Sequence, residues 1–231
     1  MSFLKNIFKS KRKKKTKLEF DSSNIIDINP LDLNKVNLNI QGKNNKIEIK
    51  NFSEEMLSKI EISIYGDNCS VFIDENFYIS YGVHILLGLN HKNYAKINNT
   101  HLKIGKNTTI ESARIITFNS NNTISVGDEC MLSENVMLHN TDSHPIYNKE
   151  TGEIINYVHD MTIGNSCWLG MNVKILKNSF IADNCIIGAD SIITKKFTEQ
   201  NCILAGVPAK VVRRNIDWKR SDIKWVNGEI C

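Results

Sequence analysis

The sequence predicts an all-β protein built as a parallel β-helix of hexapeptide repeats, and three observations lead to this fold class. An aliphatic residue stands at every sixth position from Ile163 to Ile193 without interruption. The same step recurs in three earlier segments, and neither a helical period of about 3.6 residues nor a strand period of about 2 produces it. Short polar turns rich in Gly, Asn and Asp separate the steps. The positions are Ile73, Ile79 and Ile85; Ile104, Ile110 and Ile116; Val126, Leu132 and Leu138; and Ile163, Leu169, Ile175, Ile181, Ile187 and Ile193.

The chain begins with a basic segment, residues 1–20, that is predicted to be a tail outside the repeats. Its first 17 residues hold eight cations and no acid, so the formal charge of +4 becomes −4 for the remainder. The acidic remainder excludes a nucleic-acid binder on composition. Apolar residues beside the cations allow peripheral contact of residues 1–17 with an anionic membrane surface, and a disordered solubilising tail is the alternative.

Residues 21–205 are predicted to form one β-helix domain. Segments 36–49 and 60–73 alternate apolar and polar residues around a turn, as irregular early coils do. Between them, residues 53–59 are predicted to form a helical turn capped by Ser53. Regular coils follow at 73–90, 104–121, 126–143, 163–180 and 181–198, because three six-residue sides close one coil. The segment 206–231, with Trp218 and Trp225, is predicted to cap the open end.

A second inward position lies four residues after each aliphatic one and is predicted to hold a small side chain. Gly, Asn and Asp at the corners suit left-handed backbone conformations. Cys130, Cys167 and Cys185 fall in the inward position and are predicted to be core residues, and the six cysteines show no CxxC pair. Unpaired cysteines of this kind, in a sequence with no secretory or membrane-spanning segment, predict a cytoplasmic protein. The small inward residues are Thr108, Cys130, Val136, Cys167, Val173, Ser179, Cys185 and Ser191.

The repeat is interrupted once by a long polar excursion, residues 139–162, which is predicted to be the active-site loop because such loops usually carry function. It contains His139, His144 and His159. Trp168 stands twenty-four residues after His144, within the motif IGNSCWLG.

These motifs resemble the hexapeptide-repeat acetyltransferases, a family with a left-handed β-helix, acetyl-CoA as acetyl donor and a trimeric assembly. The resemblance covers about Gly127 to Arg214 and rests on VGDECMLSENV, DSHPIYN, IGNSCWLG, IGADSIITK and AGVPAKVVRR in order. The loop is most similar to bacterial enzymes that O-acetylate capsule, lipooligosaccharide or O-antigen sugars. The implied activity is therefore acetylation of a sugar hydroxyl, with sialic acid a leading candidate.

The resemblance also implies roles for individual residues. His144 corresponds to the general base that takes a proton from the acceptor hydroxyl, and Asp142 or, equally, a backbone carbonyl is a candidate to orient its imidazole. Trp168 is expected to line the acceptor or pantetheine groove, with Tyr147 and His139 as further substrate contacts. The expected contacts to CoA, beside Trp168, are Gly170, Ala189, Thr194, Lys210 and Arg213. No resident metal is expected.

Departures from the family pattern keep several readings open. Arg114 stands where the galactoside enzymes carry Asn and Asp for the sugar, which favours an anionic acceptor. Met171 stands just after the tryptophan motif, where the family commonly has a serine that contacts CoA. N-acetylation of a nucleotide-linked amino sugar is the nearest alternative. A zinc enzyme similar to the γ-class carbonic anhydrases, using His101, His139 and His144, is the rival from another class. A non-catalytic solenoid with a binding face is the third.

Overall fold

A computed structural model describes residues 20–92 and 95–220, together with the backbone of 225–226 and 229–230. The predicted basic tail, except for Phe20, and the side chain of Trp225 therefore lie outside the described residues. The described part of the chain holds no helix with the length and apolarity needed to span a bilayer. The strands are β1 (Ile25–Ile28), β2 (Val36–Gln41), β3 (Lys46–Ile49), β4 (Ile60–Asp67), β5 (Ser70–Ile73), β6 (Tyr78–Leu87), β7 (Ile97–Asn98), β8 (Thr100–Ile104), β9 (Thr109–Thr117), β10 (Asn122–Val126), β11 (Met131–Leu132), β12 (Val136–His139), β13 (Met161–Ile163), β14 (Trp168–Leu169), β15 (Lys174–Leu176), β16 (Phe180–Ile181), β17 (Ile186–Ile187), β18 (Ile192–Ile193), β19 (Lys196–Phe197), β20 (Cys202–Gly206), β21 (Ala209–Arg214), β22 (Trp225–Val226) and β23 (Glu229–Ile230).

The strands stack into a three-sided prism in which each coil pairs in parallel with the next. Side 1 is an eight-stranded sheet in the order β1-β3-β5-β8-β10-β13-β16-β19. Sides 2 and 3 belong to one larger sheet, because β6 and β9 continue around the corner between them. Side 2 continues through β11, β14, β17 and β20, and side 3 contains β2, β4, β12, β15 and β18. We name the corners first (sides 1 and 2), second (sides 2 and 3) and third (sides 3 and 1).

The interior of the prism is filled by the residues that the six-residue step predicted. Ile104, Val126, Ile163 and Ile181 lie in register on side 1 and are almost fully buried. All eight predicted small inward residues are buried as well. Cys130, Cys167 and Cys185 are free and buried, as predicted for core residues, and Cys69 and Cys202 are free and buried as well. Burial raises the pKa of Cys202 to about 12, which does not suit a nucleophile.

Asparagines dominate the corners, where the backbone turns through a left-handed conformation. Asn and Asp tolerate this conformation better than other residues with a Cβ. Their side chains also bond from coil to coil, as in the column Asn135, Asn172 and Asp190 with distances of 2.9 and 3.0 Å. The left-handed residues of the first corner are Asn76, Asn107, Glu129, Ser166, Asn184 and Asn201, each with φ between 49° and 57°.

One local prediction was wrong. Ile115, and not Ile116, pairs with Leu138 in the core, because β9 passes the second corner without a left-handed residue and so uses one residue fewer. Ile116 faces outward beside His139 and is still buried. The segment after Ser53 makes the predicted single turn, with a bond of 3.2 Å from Met56 N to Ser53 O, and Ser53 Oγ accepts from Glu55 N at 3.4 Å. The chain also forms a 3₁₀ helix at Pro30–Lys35, capped by Asn29.

The C-terminal segment does two separate things. β21 folds back antiparallel to β20 and covers the edge of the last strand of side 2. Residues 215–220, which we name the strap, then run back along the first corner. Ile216 N bonds Asn201 O at 3.0 Å, and Trp218 Nε1 donates to Ser166 O at 2.7 Å. Trp218 thus lies against the flank of the solenoid and not over its open end, where it had been predicted.

Candidate active site

The predicted active-site loop leaves the solenoid at the end of β12, at the third corner. Asn140 is buried there, and its amide nitrogen donates to His159 O at 2.9 Å, which joins the start of the loop to its end. Its amide oxygen accepts from Asn178 N in the next coil. Asn178 in turn binds the returning limb through His159 N and Tyr157 O at 2.6 and 2.9 Å. Two asparagines therefore clamp the base of the loop to the coil below.

Beyond this base, residues 142–160 project as a hairpin, which we name the finger. Tyr147 and Ile154 form an antiparallel bridge, and Ile155 N donates to Ile146 O at 2.9 Å. Asn148 Oδ1 closes the tip by accepting from the backbone of residues 150 and 151. The apolar side chains of the finger face solvent in the isolated chain, and Ile155 is 60% exposed. The finger is thus an ordered hairpin with an unburied apolar surface.

His144 lies at the start of the finger with an exposed side chain, and the backbone around it is held by one residue, Asn156. The Asn156 amide nitrogen donates to His144 O at 2.9 Å, and its amide oxygen accepts from Ile146 N at 2.8 Å. Both sides of Pro145 are therefore fixed by a single side chain on the opposite limb. This arrangement presents an accessible imidazole on a constrained backbone.

Asp142 has a different partner from the one predicted. Its carboxylate accepts from Lys177 Nζ at 2.7 Å and from the Asn156 amide at 2.8 Å. Partial burial alone raises the pKa of Asp142, but the bonds from Lys177 and Asn156 outweigh it and hold that pKa below the ordinary value. In the described residues no direct bond joins this carboxylate to the His144 ring. The cation Lys177 is the stronger partner, and Asn156, which bonds both the Asp142 carboxylate and His144 O, is the link between Asp142 and the backbone of His144.

Trp168 lies on the outer face of side 2, within β14. Its indole is 36% exposed and its Nε1 points to Ser133 Oγ at 3.4 Å. On the other flank the ring packs against Trp218 of the strap, with ring centroids 6.0 Å apart and planes inclined by 42°. Within one chain, Trp168 and His144 therefore occupy different sides of the prism.

A groove of about 670 Å³ follows the second corner along the N-terminal coils. Arg114 lines it from side 3, one coil above Met137, and Tyr81 stands at its rim with 71% of its surface exposed. His84 Nε2 lies 2.7 Å from a carboxylate oxygen of Glu61 in its wall. The groove offers two cations, Lys59 and Arg114, an aromatic face and several hydrogen-bonding groups, which suits a sugar acid.

The residues expected to contact CoA fall into two groups. Gly170 and Ala189 stack at the second corner, where a Cβ on Gly170 would come within 2.7 Å of Ala189 N. In the neighbouring column Ala205 lies over Gly188, and Lys210 follows on β21, opposite Ala205. Lys210 and Arg213 are exposed on that strand. Thr194 lies at the third corner, after β18, so one chain does not bring it together with the others.

The histidines proposed for zinc do not converge within one chain. His101 lies on side 1, and its two ring nitrogens bond Ser70 Oγ at 2.8 Å and Asn99 Oδ1 at 2.9 Å. His139 ends β12 on side 3, and His144 is in the finger. Among the described residues no group of three or more His, Cys, Asp or Glu side chains is arranged to hold a metal ion.

Sequence reasoning missed three residues that shape this site: Asn156, Lys177 and Trp218 in its observed position. Asn156 and Lys177 meet Asp142 only because the finger folds as a hairpin over the next coil. Trp218 meets Trp168 because the strap reverses along the first corner. No periodic signal marks such contacts, whereas the placement of His144 in a projecting loop was visible as the break in the repeat.

Comparisons with known proteins agree with this architecture. The family profile described as bacterial transferase hexapeptide (six repeats) matches residues 160–195. The chain is 37% identical over 192 residues to the polysialic acid O-acetyltransferase of Neisseria meningitidis, an alignment that covers 78% of this chain and 88% of that protein. It is 33% identical over 161 residues to the galactoside O-acetyltransferase of Escherichia coli, covering 69% and 67% of the two chains.

Solved structures agree as well. The crystal structure of the polysialic acid O-acetyltransferase OatWY superposes with a TM-score of 0.68 at 34% identity, covering 86% of this chain and 89% of that one. That of the polysialic-acid-specific acetyltransferase NeuO gives 0.63 at 26% identity, covering 82% and 91%. The predicted left-handed parallel β-helix is thereby confirmed, and the chain belongs to the hexapeptide-repeat family of O-acetyltransferases.

Proposed function

We propose that this enzyme transfers the acetyl group of acetyl-CoA to a hydroxyl of a sialic-acid-containing bacterial surface sugar. The similarity to the Neisseria enzyme, whose name states polysialic acid as its acceptor, supports the substrate class. The observation that carries the proposal is the accessible His144 imidazole on a finger fixed by Asn156 and the Asp142–Lys177 pair. A general base has to be accessible to its substrate, and an exposed imidazole on a constrained backbone supports that role for His144.

In the proposed reaction the neutral His144 ring accepts the proton of the sugar hydroxyl as the oxygen attacks the thioester carbonyl. Backbone N–H groups stabilise the negative charge on the former carbonyl oxygen. Collapse of the intermediate breaks the C–S bond, and the leaving CoA sulfur takes the proton from the imidazolium. The products are the acetyl ester and free CoA, and His144 returns to its neutral form.

The proposed active site is shared between chains of a homotrimer. His144 is at the third corner, whereas Trp168 on side 2 and the Arg114 groove along the second corner lie elsewhere on the prism. A finger from one subunit that reaches the second corner of its neighbour would unite them. The exposed apolar side chains of the finger, such as Ile146 and Ile155, support this arrangement because contact with a neighbour would bury them.

The second corner provides the proposed path for acetyl-CoA. Gly170 lets the next coil approach closely at Ala189. The short side chains of Ala189 and Ala205 are proposed to leave the outer surface of this corner open to the narrow pantetheine arm. Lys210 and Arg213 on β21 stand at the end of this path, where cations pair well with phosphates. Thr194 lies at the third corner, so it is proposed to contact CoA only from a neighbouring subunit.

Arg114 is proposed to bind the acceptor carboxylate, and Tyr81 supplies an aromatic face on the same groove. Tyr147 and His139 remain candidates for acceptor contacts, from the finger and from its base. The enzyme is proposed to be cytoplasmic, with the basic residues 1–17 contacting the anionic inner face of the membrane.

The test is release of CoA from acetyl-CoA with a panel of acceptors, using wild-type protein and His144→Ala. The panel contains polysialic acid, sialylated oligosaccharides, neutral glycans and nucleotide-linked amino sugars. We expect release with sialic-acid acceptors and its loss in the variant. Release only with amino sugars would replace the proposal by N-acetylation. Stoichiometric zinc in an inactive wild type, lost in the variant, would replace it by the metal enzyme.

A further inference from the structure

The strap makes a continuous set of contacts along the first corner of the solenoid. Asp217 Oδ1 accepts from the Asn184 amide at 3.1 Å, and Trp218 Nε1 donates to Ser166 O at 2.7 Å. Further along, the Arg220 guanidinium donates to Cys130 O at 2.7 Å. Each contact is to a left-handed corner residue or its immediate neighbour, so the strap follows the column where the coils turn.

Arg220 is the far anchor of the strap. Its guanidinium also approaches Glu129 O and Asn107 O at 3.4 and 3.3 Å, so it bonds carbonyl groups in two successive coils. Burial lowers the pKa of this guanidinium, although arginine stays protonated at any ordinary pH. A partly desolvated cation needs such carbonyl partners, because leaving it unpaired costs free energy. Arg220 therefore fixes the strap beyond Trp218.

Trp218, held in place by the strap, packs against Trp168 and restricts its side chain. Its indole packs on one flank of the Trp168 ring at 6.0 Å, a separation at which aromatic pairs attract each other. On the opposite flank, the long bond of 3.4 Å to Ser133 Oγ is weak. A large side chain on a solenoid face with one weak hydrogen bond has rotational freedom, and the contact with Trp218 removes it.

We propose that Trp218 is a positioning residue, which holds the Trp168 indole in the orientation that receives substrate. This inference rests on the proposed function, since it presumes that Trp168 lines the acceptor or pantetheine groove. It extends that function by making the C-terminal strap part of the active site. The reacting atoms do not touch Trp218, which acts only through Trp168.

The first experiment measures kcat and KM for acetyl-CoA and for the acceptor in Trp218→Ala, Trp218→Phe and Arg220→Ala. Loss of an aromatic contact is expected to raise the KM of the substrate that binds Trp168 by up to about tenfold. We expect kcat to stay close to the wild-type value, because His144 is untouched. Trp218→Phe keeps an aromatic ring, so its KM should lie close to that of the wild type. Lys219→Ala is the matched control, since it removes an adjacent exposed charge without removing an anchor.

A second measurement does not depend on turnover. Two indoles 6.0 Å apart couple their electronic transitions and give a paired signal in far-ultraviolet circular dichroism. The chain has three tryptophans, so Trp168→Phe and Trp218→Phe should each remove the signal while Trp225→Phe retains it. Arg220→Ala should weaken it by loosening the strap.

The outcomes separate the two proposals. A wild-type enzyme that acetylates no acceptor contradicts the proposed function, whatever the tryptophan signal shows. An active wild type in which Trp218→Ala leaves both KM values unchanged contradicts the positioning role alone. Absence of the coupled signal in the wild type also overturns it, because the two rings would then not be in contact.

Discussion

The stacked coils and the finger are built from equally short strands and turns, but different interactions fix them. In the coils an aliphatic side chain such as Ile175 is completely buried, and every coil repeats the contacts of its neighbour. In the finger the apolar side chains face solvent, and single polar residues such as Asn156 hold the two limbs. Burial therefore specifies the coils redundantly, whereas a few hydrogen bonds specify the finger. The comparison implies that coil substitutions change stability and finger substitutions change activity.

The largest effect is expected from His144→Ala, which should lower kcat by about 10²–10⁴-fold with little change in melting temperature. The reason is that His144 is exposed and supplies the base without packing against the core. His159→Ala, also exposed on the finger, is the matched control and should keep its activity. Steady-state kinetics with a sialic-acid acceptor and thermal unfolding of both variants test this. An equal loss in His159→Ala would show that the finger tolerates no change and that His144 has no special role.

The complementary substitution in the coils is Ile175→Ala, which should cost about 2–5 kcal/mol of unfolding free energy. Its side chain fills the prism with no exposed surface, so truncation loses burial and leaves a cavity. Leu57→Ala, at a position 74% exposed, should change stability by less than about 0.5 kcal/mol. Denaturant unfolding measures both. Similar losses in the two variants would mean that the six-residue step does not define the core.

This contrast also explains which features the sequence could predict. The inward residues were predictable because each coil must repeat the same burial, and left-handed corners select Asn by a local backbone preference. The exception at Ile116 arose where β9 omits one corner residue, a deletion that leaves the sequence pattern intact. The finger was predictable only as an interruption. Its clamps, Asn156 and Lys177, depend on hairpin register and on contact with a later coil, and neither leaves a periodic trace.

The partner of Asp142 shows the same limit. A resemblance of motifs places Asp142 two residues before His144, and from that spacing a direct bond to the imidazole is reasonable. In the structure the carboxylate instead forms an ion pair of 2.7 Å with Lys177, thirty-five residues later in the sequence. A charged partner from the next coil is stronger than a neutral ring nearby, and only the fold reveals that it is within reach.

A third variant sharpens the comparison at the point where the two regions meet. Asn178 has the left-handed backbone of a corner residue, and its side chain also binds the base of the finger. Asn178→Gly keeps the turn and removes the clamp, so we expect kcat to fall by about 3–10-fold, as one or two hydrogen bonds of about 1 kcal/mol are lost. Asn76→Gly, at a left-handed position of the first corner and so away from the base of the finger, should leave kcat unchanged. Hydrogen exchange in residues 142–160 should rise only in Asn178→Gly.

If instead Asn76→Gly and Asn178→Gly lowered activity equally, the corner asparagines would act through general stability of the solenoid. That result would remove the distinction between Asn178, which clamps the finger, and the corner asparagines that only bond from coil to coil. Faster exchange throughout the coils of Asn178→Gly would lead to the same conclusion.

The smallest effect concerns the pH dependence of the Asp142–Lys177 pair. The folded-state pKa of Asp142 lies below the ordinary 3.8, so the carboxylate contributes stability at pH values above 3.8 and loses it as the pH falls through the folded pKa. The Asp142 side chain is 32% exposed, so solvent screening should keep this contribution below about 1 kcal/mol. Wild type should therefore exceed Asp142→Asn in melting temperature at neutral pH, and the two should converge in acid. Lys177→Met should behave like Asp142→Asn, and the double variant should add little, because both changes remove one interaction. A difference that persists undiminished in acid would show that Asp142 stabilises the finger through its bond from Asn156, which an uncharged amide preserves only in part, and not through the charge of Lys177.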